Sequence, residues 1–171
     1  MQKKAIFITG FNNWGKTTII EKLFNGRKRY YRKKTYAISD LNITDDFFVE
    51  THSNDDFWGK SWIDLLNFRT EFKKESHLLT ALCPTMHPSN NFLELLSNNF
   101  FDDFNKLYIF LIKNKWEHHA MLNIKNVLKS AENFPKIEFV IIDADENILL
   151  PNERLTKNIE QIKNEIVKIF N

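Results

Sequence analysis

The sequence predicts an α/β fold, a mostly parallel sheet with helices on both faces. Two observations predict it. Short apolar runs bounded by turn residues alternate with stretches whose apolar residues recur every three or four positions. Such alternation of strands and helices builds parallel sheets covered on both sides. The chain has 171 residues and is read as one domain, 1–171.

The elements follow in order. Residues 4–9 form a short buried strand. Gly15 to Phe24 is a helix with Ile19, Ile20, Leu23 and Phe24 on one face, and Gly26 can end it in the left-handed conformation. A basic tract, "RKRYYRKK" at 27–34, leads to strands at 35–39 and 47–52, joined by the turn-like "DLNITD" so that they can pair as a hairpin. "SWIDLLNFRTEF" is helical, with Trp62, Leu65, Leu66 and Phe72 as its apolar stripe. "HLLTALC" is a buried strand stopped by Pro84, and 91–104 a helix running from Phe92 through Leu95, Leu96 and Phe100. "KLYIFLI" is the clearest strand, followed by a helix over about 119–132 and the strand "KIEFVIID". The last helix starts near Pro151 and repeats Leu155, Ile159, Ile162, Ile166 and Ile169. Right-handed crossovers bring the loops after these strands to one edge of the sheet, where a ligand would sit.

Composition narrows the class. Sixteen phenylalanines predict an aromatic core, and four Gly with four Pro argue against long linkers. A net charge of +2 implies no nucleic-acid partner by itself. Arg27, Lys28, Arg29, Arg32, Lys33 and Lys34 are therefore read as a solvated segment beside an edge strand. Cys83, the one cysteine, cannot make an internal disulfide and fits a reducing cytoplasm as a packed thiol. The apolar run in "MQKKAIFITG" is too short for a signal peptide or a membrane span.

The chemistry concentrates in "GFNNWGKTT", Gly10 to Thr18, directly after the first strand. Its spacing, G-x-x-x-x-G-K-T, resembles the phosphate-binding loop of P-loop NTPases. Polyphosphate must lose water to bind. Consecutive backbone N–H groups at a helix N-terminus replace that water, and the helix dipole adds attraction. Gly10 and Gly15 permit the tight path, a solvent-facing Lys16 reaches the β- and γ-phosphates, and Thr17 holds Mg²⁺ through its hydroxyl. Gly10, Asn12, Asn13, Trp14, Gly15, Lys16, Thr17 and Thr18 are the candidate nucleotide contacts, with Trp14 packing on a neighbour in preference to stacking on the nucleotide.

The order of elements further resembles the Ras-like GTPases, a branch of the P-loop NTPase superfamily. That resemblance implies a D-x-x-G motif at Asp56–Gly59, in which Asp56 binds Mg²⁺ through water and serves catalysis beside Lys16; Asp55 is an equal choice of register. It implies base recognition by Asn114 and Lys115, with Glu117 where the family has Asp, and by the Ala144 amide within Asp143-Ala144-Asp145. Thr35 and Thr44 are both open as the switch threonine. The implied activity is Mg²⁺-dependent binding and hydrolysis of GTP or ATP. Two alternatives stand beside it. One is a small-molecule or nucleotide kinase, with Asp40 or Asp55 as its base; against it, the middle and late chain offers only Arg69 and Arg154 for a transferring phosphoryl group. The other is a slowly hydrolysing module whose bound state a partner protein reads.

Overall fold

The computed structural model describes residues 2–38, 40, 41, 43–57, 60–70, 76–113 and 124–171. The elements are β1 (Lys4–Thr9), α1 (Lys16–Leu23), β2 (Tyr36–Ala37), β3 (Asp46–Glu50), α2 (Lys60–Thr70), β4 (His77–Leu82), α3 (Phe92–Leu96), a 3₁₀ turn (Asn99–Phe101), β5 (Lys106–Ile112), α4 (Ile124–Ser130), β6 (Ile137–Ile142) and α5 (Pro151–Phe170). They build an α/β structure on one six-stranded sheet of order β2-β3-β4-β1-β5-β6. Only β2 runs antiparallel, paired with β3 as the expected hairpin. The other neighbours are parallel.

The strands form where the apolar runs predicted them, because runs buried on both faces lose water all round. Every residue of β4 is buried, as are Ala5 to Thr9 of β1. β1 lies at the centre, with Ile8 opposite Ala81 on one side and Phe110 on the other. Helix α1 packs against α5. Trp62 of α2 instead meets Phe101, whose ring stands edge-on to Phe7 of β1 at 5.7 Å. Helix α1 ends as expected, with Gly26 at φ 77 and its N–H on the Glu21 carbonyl.

Some boundaries, and one helix face, differ from the sequence reading. The helix read over 91–104 is two short pieces. Ser97 Oγ bonds back to the Leu93 carbonyl at 2.7 Å, and Asn98 Oδ1 accepts from Phe100 N at 3.0 Å to start a new turn. Polar side chains here compete with the helical ladder, which apolar periodicity does not register. Strand β3 stops at Glu50, short of His52, because the Thr51 and His52 carbonyls bond to α1 and α2 rather than to a strand. On α5 the inward face is Arg154, Leu155, Asn158, Ile162 and Ile166. Two polar residues thus share the apolar stripe that the spacing implied.

Candidate functional site at the carboxyl edge of the sheet

Strands β1, β3, β4, β5 and β6 run the same way, so their following loops share one edge. Thr9 ends β1, and Gly10 continues it by donating to the Leu82 carbonyl. A Cβ on Gly10 would come 3.1 Å from the Cβ of Trp14, so this position favours a residue without one. Trp14 is buried and stands edge-on to Phe11. Its packing role is the one expected. Asn13 (φ 59) and Gly15 (φ 78) are both left-handed, with Trp14 between them at negative φ. Such alternation turns successive N–H groups toward a common point. Gly15 is the N-cap of α1 and offers no side-chain bond, and the first turn holds no acidic residue. A helix start without a side-chain cap or first-turn carboxylate has the polarity that suits an anion. Asn12, Asn13 and Thr17 are exposed, and Thr18 partly so.

Lys16 corrects one expectation. It is not solvent-facing but 7% exposed, with Nζ folded back on the Gly10 carbonyl at 3.0 Å and the Phe11 carbonyl at 3.1 Å. An ammonium has three donors and no acceptor, so it brings loop carbonyls to itself wherever it is desolvated. Asp55 Oδ2 lies 3.8 Å away.

The loop after β3 arrives from two strands away and is pinned as it crosses β4. Thr17 Oγ1 donates to the Thr51 carbonyl at 3.3 Å. Asn54 is fully buried, accepts from Cys83 N at 2.7 Å and donates to Cys83 O at 3.1 Å. Asn90 Nδ2 donates to the Asn54 carbonyl at 2.8 Å. Ser53 bonds Asp55 through its hydroxyl, and Asp56 Oδ2 accepts from Ser53 N at 2.8 Å. Of the two aspartates, the structure brings Asp55 to Lys16 and folds Asp56 back on its own loop. Burial and the nearby Asp55 carboxylate push the Cys83 thiol up to about 12, so it stays protonated as packing.

Other candidates fall elsewhere. Asn114, Lys115, Glu117 and Gly59 lie outside the described residues. The Ala144 and Asp143 N–H groups both donate to Gln161 Oε1 at 2.9 Å. Arg154 and Asp145 are fully buried and paired, with Nε at 3.1 Å and Nη2 at 2.9 Å from Oδ2. Thr35 donates to Asp46, Thr44 is exposed, and Asp40 pairs with Lys163 of α5. A cavity of about 530 Å³, lined by Lys3, Asn67, Asn99 and Asp103, opens at the opposite edge, away from these groups.

One cluster escaped the sequence reading. Glu50 is 2% exposed, and its carboxylate takes Arg69 Nε at 2.8 Å and His52 Nδ1 at 2.6 Å. The only signal was a Glu ending an apolar run. Comparison with protein-family models, with curated proteins and with solved structures finds no match for the chain.

Proposed function

We propose that the chain binds a nucleoside triphosphate with Mg²⁺ at the loop of residues 10–18 and hydrolyses it. The observation that carries this reading is Lys16, held on two carbonyls of its own loop at the start of α1 and flanked by left-handed Asn13 and Gly15. The loop's carbonyls turn inward to the ammonium, while the helix start keeps its N–H groups for phosphate oxygens. The donor set suits Mg²⁺. The Thr17 hydroxyl is tied to the Thr51 carbonyl and the Asp55 carboxylate reaches Lys16, and a hard cation takes oxygen ligands while keeping several waters. Bound there, Mg²⁺ would neutralise phosphate charge.

Hydrolysis is favoured over transfer to a small acceptor by the state of two arginines. Arg154 is buried on Asp145, and Arg69 is committed to Glu50 and the Tyr30 carbonyl at 2.6 Å. Neither is free to grip a transferring phosphoryl group. The test is equilibrium binding of GTP and ATP with and without Mg²⁺, followed by phosphate release. Label from the γ-phosphate appearing on a nucleoside, nucleotide or sugar would favour the kinase reading instead. Absence of triphosphate binding would end both.

A further inference from the structure

We propose that His52 takes the proton from the attacking water, with Glu50 as the positioning residue behind it; this rests on the triphosphatase reading above. Glu50 closes β3 and is buried, and its Oε1 accepts from both His52 Nδ1 at 2.6 Å and His52 N at 3.0 Å. Arg69 sits on the other oxygen and balances the carboxylate charge. With Nδ1 donating, the lone pair of the neutral ring lies on Nε2, which has no partner among the described residues. The imidazole is half exposed, with Phe57 edge-on at 5.1 Å.

The backbone presenting this ring is fixed on both sides. The Thr51 carbonyl accepts from Thr17 of the phosphate loop, and the His52 carbonyl accepts from Trp62 Nε1 at 3.1 Å. Three residues on, Asp55 reaches Lys16. A purely structural ion pair needs only Glu50 and Arg69. The imidazole adds a third donor and leaves its basic nitrogen to solvent at the edge where the phosphates would sit. A carboxylate that fixes the tautomer and orientation of a histidine is the arrangement a general base requires.

The step balances without another reagent. As the water oxygen bonds to the γ-phosphorus, one water proton passes to His52 Nε2. The bond from the γ-phosphorus to the bridging oxygen breaks, and its electron pair leaves with the nucleoside diphosphate. His52 then returns its proton to solvent.

The experiment uses His52→Ala and His52→Asn, the second keeping an N–H for Glu50. Binding of a non-hydrolysable triphosphate and circular dichroism report site and fold. We expect affinity, KM and spectrum near wild type, kcat lowered at least about tenfold in both, and added imidazole to restore part of the loss in His52→Ala alone. Wild-type kcat in either variant, or a loss that imidazole leaves untouched in His52→Ala, overturns the proposal. So does a wild-type chain that binds triphosphate without turning it over. Failure of the wild-type chain to bind triphosphate is a separate result and refutes the site itself.

Discussion

Lys16→Met is the sharpest perturbation of the proposed phosphate loop, because it removes the ammonium and keeps most of the buried stem. The variant loses two bonds, to the Gly10 and Phe11 carbonyls. Phe11 is 38% exposed, so its carbonyl can turn to water, whereas Gly10 is buried. One under-satisfied buried carbonyl, offset by the relief of desolvating no charge, leaves a stability loss of about 1 kcal/mol. In a chain of this size that lowers the melting midpoint by about 2–4 °C. Binding responds differently. An ammonium on a phosphate oxygen contributes about 1.5–3 kcal/mol, so triphosphate affinity should fall roughly tenfold to 150-fold. Titration calorimetry with Mg²⁺–GTP and Mg²⁺–ATP reads the affinity, and a thermal melt without nucleotide reads the stability. A small shift in the melt with a large loss of affinity is expected. A folded variant binding both triphosphates as the wild type does would refute the role of Lys16, and the phosphate-loop reading with it.

Gly15→Ala places a Cβ on a residue at φ 78 and should cost about 1–2 kcal/mol in chemical denaturation; an unchanged midpoint would mean that the loop does not hold this conformation. Burial lowers the His77 pKa below its ordinary 6.5, helped by the nearby Lys4 charge and outweighing the Asp45 carboxylate that would raise it. The unfolded chain therefore takes a proton as pH falls through 6.5 that the native ring refuses. This contribution is full above that pH and is lost on acidification, so urea midpoints should fall below it less steeply in His77→Gln than in the wild type. The basic tract should not bind nucleic acid near physiological salt; a tight complex weakening steeply with salt, and abolished by charge reversal of Arg27, Lys28 and Arg29, would overturn that. If the proposed base site holds, Glu117 where the resemblance implies Asp would leave guanine donors poorly met at about 1–3 kcal/mol. GTP should then be only weakly preferred over ATP, with Glu117→Asp sharpening the preference and Glu117→Ala flattening it; equal ratios in all three would free Glu117 from the base.

The strands were legible because burial on both faces writes itself as an unbroken apolar run, and "KLYIFLI" and "HLLTAL" need no partner to be recognised. The tight backbone path of residues 10–18 was legible for a similar reason: the spacing of Gly10 and Gly15 marks it, and Asn13 and Gly15 are left-handed within it. What the sequence hid depends on which strand lies beside which. Nothing in "THSNDD" distinguishes Asp55 from Asp56. The choice follows from Asn54, whose side chain clasps the Cys83 backbone 29 positions away and turns the next carboxylate toward Lys16. Glu50 was hidden in the same way, since a charged residue inside a strand read over 47–52 gives no sign of burial until Arg69 and His52 close over it.

Helix α5 shows how polar groups can share a stripe that periodicity assigns wholly to the core. Its later inward positions, Ile162 and Ile166, are apolar and fully buried. Its earlier ones mix Leu155 with the polar Arg154 and Asn158. Arg154 neutralises Asp145, and Gln161 on the flank takes the amides of Asp143 and Ala144 while donating to the Ile141 carbonyl at 2.9 Å. These bonds satisfy backbone groups where β6 leaves the sheet and has no further strand to pair with. The same need explains Asn54 and Asn90 after β3 and β4, and the folded-back Lys16 after β1. At the ends of β1, β3, β4 and β6 the chain satisfies backbone groups with side chains. A carboxyl edge so bonded would cost little further ordering on binding a ligand, which is the condition for using binding energy on the ligand rather than on the loops.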